Sequence, residues 1–366
     1  IINRYQSFAS NGGIFMNPGT NGLIKVSTVD LFEDYRFTGG FRLPTNLGGS
    51  EYFFSFDDIK KRLDKHYTFY RKVDTRVYNA NPLWAYPVYA KSKTNYLEAN
   101  FNYAIDVTKS IRGIASYRQE KLVFLSSDSF SLRLKDYNEN WIAMRGEYVF
   151  DNTLKIQTNI LEGSRYKFYS DVMRLVQKNG PFLFVAGVDY RHYQKIHRNI
   201  IWATRINAAT SWGSGKVVYY LGGMDGWLFP TFNTNTDVSL TSGYAFQSLA
   251  QNLRGFNQNI RNGNSFALVN SEIRFPIFSY LINSPIRSEF FKNFQLTAFA
   301  DAGTAWQGFS PYSENNPFNS TVIEEGPITV NVNYFREPIV AGIGWGMRAT
   351  FFGYFVRLDW ARGWDS

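Results

Sequence analysis

The chain has 366 residues, of which 44% are hydrophobic and 18% aromatic, and its formal net charge is +9. It contains no cysteine, which excludes disulfides and thiolate metal sites. No run of residues approaches the roughly 18–20 consecutive apolar residues that a transmembrane helix requires. Because basic residues alternate with apolar ones and form no long run, the positive charge is typical of strand faces and does not indicate a nucleic-acid partner.

The start of the chain, Ile1-Ile2-Asn3, has neither a methionine nor a signal sequence, which indicates a processed chain or a fragment. Residues 1–21 are interpreted as a lead-in or linker, and residues 22–366 as one β-domain. No pattern of alternating helices and strands precedes Gly22.

From there onward the dominant pattern is alternation of apolar and polar residues with a period of two, which is typical of β-strands with one apolar face. In 142–150 apolar residues alternate with Arg145 and Glu147, and similar alternation recurs in 97–105 and 339–347. The apolar faces are rich in aromatic residues and the segments are long, which favours tilted strands of a transmembrane barrel over the strands of a soluble sandwich. The predicted strands are 22–30, 35–43, 50–58, 65–76, 82–91, 95–105, 110–125, 139–151, 161–174, 181–193, 198–212, 265–277, 292–306, 337–350 and 353–363.

Two kinds of connection separate these strands. Tight turns are predicted at Asp106–Lys109 and Asp151–Thr153, where the residue types suit turns. The connection 213–264 is too long for a turn and is expected to be functional, and 308–335 is a second long polar loop. Fifteen strands is an odd count, which indicates either an error within 50–95 or a closing strand beyond Ser366. The second alternative is favoured.

Several short motifs occur in order through the second half of the chain, and together they carry a family resemblance. The tetrapeptide Leu253-Arg254-Gly255-Phe256 resembles the loop-tip motif of the BamA/TamA superfamily of outer-membrane barrels, also called the bacterial surface antigen fold. The other matching segments are Tyr219–Gly223, Asn270–Pro276, Phe299–Gly303, Gly342–Arg348 and Val356–Ala361. The resemblance implies a transmembrane antiparallel β-barrel of 16 strands if complete, whose sixth extracellular loop is folded into the lumen. The periplasmic POTRA domains of that family are absent from the chain.

The resemblance also implies a contact between loop and wall. Arg254 is expected to lie inside the barrel and to pair with Asp301, with help from Glu272. In addition, Gly255 would allow a close approach to the wall, and Phe256 would pack against residues of the lumen. A planar guanidinium binds a carboxylate in two-pronged fashion, which suits this pairing.

Three glycines lie on one face of a predicted strand, at Gly342, Gly344 and Gly346. One interpretation is that the folded-in loop packs against them. The other is that they relieve strain where the strand bends. The two interpretations are compatible, and the sequence favours neither.

The sequence offers no catalytic constellation. Its three histidines, His66, His192 and His197, lack the spacing of a metal site, and Ser164 lacks a nucleophile-elbow motif. We therefore expect neither an enzyme nor a cofactor or metal.

The expected function is insertion and assembly of proteins in the bacterial outer membrane, or translocation across it, through a barrel with a lateral seam. The expected partners are outer-membrane lipids, unfolded or secreted client proteins, and accessory lipoproteins or periplasmic domains. The alternative is a barrel that anchors a periplasmic or surface domain encoded upstream. A passive pore is a third possibility, which a lumen filled by a loop disfavours.

Overall fold

The structure is a computed structural model. It describes residues 5–8, 15, 17, 21–44, 49–78, 88–125, 131–236, 238–239, 242–250, 252–313, 316, 320–325, 328–333 and 336–365. The helices are a short 3-10 helix (Ser131–Arg133), α1 (Ile277–Leu281) and α2 (Glu289–Lys292). The strands are β1 (Gln6–Ser7), β2 (Asn21–Val29), β3 (Tyr35–Pro44), β4 (Ser50–Asp58), β5 (Leu63–Tyr78), β6 (Val88–Ala104), β7 (Lys109–Leu125), β8 (Tyr137–Asp151), β9 (Leu154–Gln157), β10 (Ile160–Leu175), β11 (Phe182–His197), β12 (Ile200–Gly213), β13 (Lys216–Leu221), β14 (Tyr244–Ala250), β15 (Arg261–Gly263), β16 (Ser265–Phe275), β17 (Gln295–Trp306), β18 (Ser320–Glu325), β19 (Ile328–Asn333), β20 (Val340–Phe351) and β21 (Tyr354–Trp364).

One antiparallel sheet of fifteen strands forms the wall, so the predicted fold class is confirmed. Its continuous path runs from β2 to β21 and leaves out only β9, which pairs with β10 beside the path. Within the described part of the chain, β2 and β21 each pair on one side only, so the wall is open between them. No described helix is long and apolar enough to cross a membrane.

The wall carries apolar side chains on its outer face and charged side chains on its inner face, the reverse of the arrangement in a soluble protein. On β8 the outward residues Ile142 and Met144 are 49% and 71% exposed, whereas the inward residues Arg145 and Glu147 are only 7% and 6% exposed. Strand geometry places successive side chains on opposite faces, so the alternation read from the sequence becomes an apolar exterior and a charged interior. The alternation of apolar and polar residues in the sequence therefore corresponds to two faces of the wall, and the apolar face points outward.

Short turns join the strands at one end of the wall. The turn between β6 and β7 is closed by Asp106, whose carboxylate accepts hydrogen bonds from the backbone N–H of Thr108 at 2.7 Å and from its hydroxyl at 2.8 Å. These hydrogen bonds hold the pKa of Asp106 below its ordinary value. Asp151 makes the same two contacts with Thr153 at 3.0 and 2.6 Å, so both predicted turns use Asp chemistry.

The prediction of separate strands at 82–91 and 95–105 was wrong for the described residues 88–104, which form the single strand β6. Pairing of β6 with β5 is continuous from Val88 opposite Tyr78 to Tyr103 opposite Leu63. Ser92 and Thr94, which lie between the two predicted strands, are buried on the inward face of β6. Because the inner face of the wall is polar, the middle of a wall strand can have the polar composition that is typical of a turn. Residues 82–87 lie outside the described residues.

The predicted long loop 213–264 is not structureless. It contains β13, β14 and β15, which form a four-stranded inner sheet together with β1, in the order β1-β14-β13-β15. The two central strands of this inner sheet pair in parallel, and its residues Val217–Leu221 are nearly inaccessible to solvent. Burial raises the pKa of Tyr244 to about 12, so its phenol stays protonated in the interior.

Two other predicted connections also contain strands. The stretch 308–335, predicted as a polar loop, includes the antiparallel hairpin of β18 and β19. The predicted lead-in 1–21 contributes β1 to the inner sheet and the first residue of β2 to the wall. The partner of β1 lies more than two hundred residues away along the chain, so this pairing cannot be predicted from such a short segment.

Candidate functional site

The tip of the long loop lies between β14 and β15 and is fixed to the wall by Arg254. Its guanidinium donates to both carboxylate oxygens of Asp301 on β17, from Nε at 2.6 Å and from Nη2 at 2.8 Å. The backbone N–H of Arg254 donates to the same carboxylate at 3.2 Å. This two-pronged geometry is the strong form of an arginine–carboxylate pair.

Neighbouring wall residues complete the surroundings of this pair. Nη1 of Arg254 donates to Glu272 of β16 at 2.5 Å, and the Asn270 side-chain amide donates to Asp301 at 2.7 Å. The guanidinium also lies over the ring of Phe299, 3.5 Å from its centroid. The Asp301 side chain is fully buried, so these donors stabilise its charge.

Glu272 connects the loop tip to the last strands of the wall. Besides Arg254 it accepts from Arg274 at 2.9 Å and from Arg348 of β20 at 3.4 Å. Arg348 in turn contacts Asp359 of β21 at 2.5 Å. Three arginines thus face three carboxylates, and the buried cluster is electrically balanced.

The two residues after Arg254 pack against the end of β21. Gly255 has φ +92°, and a Cβ there would meet the backbone of Arg362 and Gly363. A Cβ on Gly363 would in turn collide with the ring of Phe256. The backbone of β21 leaves no room for a side chain at Gly255, and the Phe256 ring and the Gly255 carbonyl oxygen leave none at Gly363. The loop tip therefore rests on the strand that ends the sheet.

The three wall glycines have different surroundings. A Cβ on Gly342 would lie well inside van der Waals contact with the carbonyl oxygen of Arg254, so the loop tip packs at this position. The nearest atoms at Gly344 and Gly346 belong to the wall, chiefly to β21. Of the two interpretations left open by the sequence, loop packing therefore does not apply to these two glycines, where the close approach is between neighbouring wall strands.

A pair of glycines at the end of β13 supports the tip from the other side. Gly222 and Gly223 have φ +119° and +77°, which L side chains rarely adopt. The carbonyl of Gly223 accepts from the N–H of Leu253 at 3.1 Å, and its own N–H donates to the carbonyl of Phe256 at 3.1 Å. The tip is thus held through its backbone as well as through Arg254.

A second attachment of the loop, which the sequence did not reveal, is made by Arg261 of β15. This side chain is only 1% exposed, and its guanidinium contacts the carboxylate of Asp365 just after β21. It also donates to the carbonyl of Glu337 at 2.9 Å. An arginine in a short polar segment gives no sign of burial, because Asp365 lies more than one hundred residues away.

We expect Arg261→Ala to lower the free energy of unfolding by about 2 kcal/mol, because buried charge-assisted hydrogen bonds are lost. The Asp365 side chain is one-third exposed, so Asp365→Asn is expected to cost less than about 1 kcal/mol. Denaturant midpoints of the two variants, measured in the same detergent, check this order. Equal midpoints for Arg261→Ala and the unmodified chain would show that Arg261 does not stabilise the attachment of the loop.

The histidines and Ser164 lie apart from this cluster. His66 contacts Asp57 at 3.0 Å, and His197 contacts the hydroxyl of Tyr280 at 3.1 Å. Ser164 and His192 share a hydrogen bond of 2.7 Å across β10 and β11. Among the residues that the structure describes, no group of three or more acidic or histidine side chains could hold a metal ion.

Comparison with known proteins rests on structure. No protein-family model and no curated protein sequence matches the chain. Solved structures do match, each over 94% of this chain: CdiB from Acinetobacter baumannii (14% identity, 53% of that chain, TM-score 0.53), BamA from Haemophilus ducreyi lacking POTRA domains 1–3 (12%, 67%, 0.54) and CdiB from Escherichia coli (11%, 55%, 0.50).

The chain spans between about half and two-thirds of the length of these proteins. At such low identity the similarity establishes a shared architecture and does not transfer a role. The chain therefore has the β-barrel fold seen in BamA and CdiB.

Proposed function

We propose that the chain is an integral β-barrel of the bacterial outer membrane that inserts or translocates other polypeptides without covalent chemistry. The observation that carries this proposal is the loop tip fixed at Arg254, which rests against the edge strand β21. The motif resemblance of the sequence and the fold shared with BamA and CdiB support the same role.

The membrane assignment rests on the outward face of the wall. Exposed Ile142 and Met144 lie on the same face as exposed Trp202, Ile206 and Trp345 of other wall strands. A face of this composition is unfavourable in water and suits the hydrocarbon of a bilayer, with outer-membrane lipids as its surroundings.

The proposed mechanism uses the edges of the sheet. An unpaired strand edge is a template on which another chain can add main-chain hydrogen bonds. A client strand would pair with β2 or β21 and pass from there into the membrane. The loop contacts at Arg254 and Arg261 would hold β20 and β21 in a fixed position while the client pairs. Unfolded or secreted proteins are the proposed clients, and accessory lipoproteins or periplasmic domains the proposed assistants.

The inner sheet bears on the rival functions. Because β13 and β14 occupy the interior and contact the wall, a passive pore is disfavoured. A membrane anchor for another domain would need the same wall but would make no use of a fixed loop tip beside an edge strand.

Reconstitution tests the proposal. Liposomes containing the chain should fold a urea-unfolded outer-membrane barrel about tenfold faster than empty liposomes, a change of about 1.4 kcal/mol in the barrier. Protease protection and heat-dependent gel mobility of the client report folding. An unchanged rate with a folded, correctly inserted chain would support the anchor instead. An unchanged rate together with large ion conductance in planar bilayers would support the pore.

A further inference from the structure

A short extended segment, Tyr5–Phe8, is bound inside the wall in the manner of a peptide ligand. Gln6 pairs with Gln247 and Ser7 with Phe246, which adds the segment as an antiparallel strand to the outer edge of β14. The N–H of Phe8 donates to the carbonyl of Ala245 at 2.9 Å. The other edge of β14 is occupied by β13, so this edge is the one at which a strand can be added.

The first aromatic residue of the segment, Tyr5, is held by charged side chains of the wall, which form its seat. The Tyr5 hydroxyl donates to Asp171 on β10 at 2.7 Å, and its carbonyl accepts from Nη1 of Arg118 on β7 at 2.6 Å. Asp171 is oriented by Arg145, whose Nη1 lies 2.7 Å away. These three wall side chains are all more than nine-tenths buried, so the seat is built into the interior.

The second aromatic side chain lies on the opposite face of the segment. Phe8 packs on Tyr244 with ring centroids 5.8 Å apart, in a buried apolar cluster with Val218 and Tyr220. Main-chain pairing at a strand edge, combined with side chains held in their own seats, is how strand addition binds a peptide. Main-chain bonds supply affinity in this mode, and the side-chain seats supply specificity.

The seat of Tyr5 is not completely filled. A cavity of about 50 Å³ is lined by Tyr5, Trp141, Met173 and Phe246 together with Arg118. The seat therefore leaves some free space next to Tyr5.

We propose that the outer edge of β14, together with the seats at Asp171 and Tyr244, is a binding groove for an extended polypeptide segment. Residues 5–8 occupy it in cis, and an incoming segment with aromatic residues at positions i and i+3 displaces them. Among the described residues the main-chain pairing of the resident strand is short, at Gln6 and Ser7, and an incoming strand of greater length can compete with it. The groove stands on its own contacts, while the identity of the incoming segment as part of a client rests on the proposed function.

The test measures binding of a fluorescent peptide with the sequence of residues 3–10 to the whole chain in detergent, by anisotropy. The double variant Tyr5→Ala/Phe8→Ala weakens the resident strand, so we expect it to bind the peptide at least about tenfold tighter than the unmodified chain, as for loss of about 1.4 kcal/mol of competition. A control peptide with alanine at both aromatic positions should not bind. Equal, weak binding of the peptide by both proteins would overturn the proposal.

A second variant covers the case in which the first fails to fold. Gln6→Cys/Gln247→Cys introduces the only two cysteines of the chain at opposed strand positions, where a disulfide can lock the resident strand. The oxidised form should exclude the peptide and the reduced form should bind it. Equal binding in both forms would show that the groove does not exchange. Because binding is read without a client, loss of insertion activity with intact peptide exchange would count against the proposed function alone.

Discussion

Replacing Arg254 by alanine is expected to lower the free energy of unfolding by about 3–5 kcal/mol while leaving the wall strands formed. The reason is that Asp301 would stay buried with its main charged partner removed, and Glu272 would lose its contact at 2.5 Å. Denaturant midpoints in detergent give the stability, and far-ultraviolet circular dichroism gives the strand content. We also expect the rate of client folding in liposomes to fall on the order of tenfold.

Two further variants make this result specific. Arg254→Lys keeps the charge but cannot form the two-pronged contact with Asp301, so it is expected to recover only part of the stability. Arg174→Ala removes an exposed arginine from β10 and is the matched control, with an expected change within about 0.5 kcal/mol. Full activity and an unshifted midpoint for both Arg254→Ala and Asp301→Ala would show that the contact has no role.

Gly342→Ala is expected to have the second largest effect. The added methyl group would collide with the carbonyl oxygen of Arg254, which is backbone and cannot rotate away. The loop tip must then leave the wall or β20 must shift, at a cost of about 1–3 kcal/mol. Denaturant midpoints measure the cost, and susceptibility of the loop 222–260 to protease shows whether the tip is released.

The control for this variant is Gly113→Ala on β7, where nothing lies within 4 Å of an added Cβ. It is expected to be neutral or slightly stabilising, because alanine has less freedom in the unfolded chain. Equal effects of the two alanines would mean that glycine at 342 serves the strand and not the loop.

The features that could be predicted from the sequence are those that depend on short residue patterns. Alternation placed Arg145 and Glu147 on one face of β8, since the period of a strand fixes which side chains share a face. The ordered motifs brought Arg254 and Asp301 together in prediction, and the structure places them 2.6 Å apart. Which face pointed to the interior also followed, because charged residues recur on the same face of successive strands.

The inner sheet was not predicted, because β13 does not show the alternation of apolar and polar residues that marks the wall strands. Val217–Leu221 is a continuous apolar run, which marks a strand buried on both faces and not an exposed loop. That run alone could have identified β13. The attachment of Arg261 and the seating of Tyr5–Phe8 depend on partners more than one hundred residues away, and nothing in their local sequence names those partners.

The most direct test of the proposed mechanism locates the client on the wall. Since the chain has no native cysteine, single cysteines can be placed at the outward positions Val26 of β2, Leu358 of β21 and Met144 of β8. Each is mixed in liposomes with an unfolded barrel client that carries one lipid-facing cysteine in its last strand. Paired strands bring opposed Cβ atoms to about 5 Å, close enough for disulfide formation. Mixed disulfides at position 26 or 358 and none at 144 are the predicted result; client folding with equal cross-linking at all three, or with none at the edges, would contradict lateral insertion.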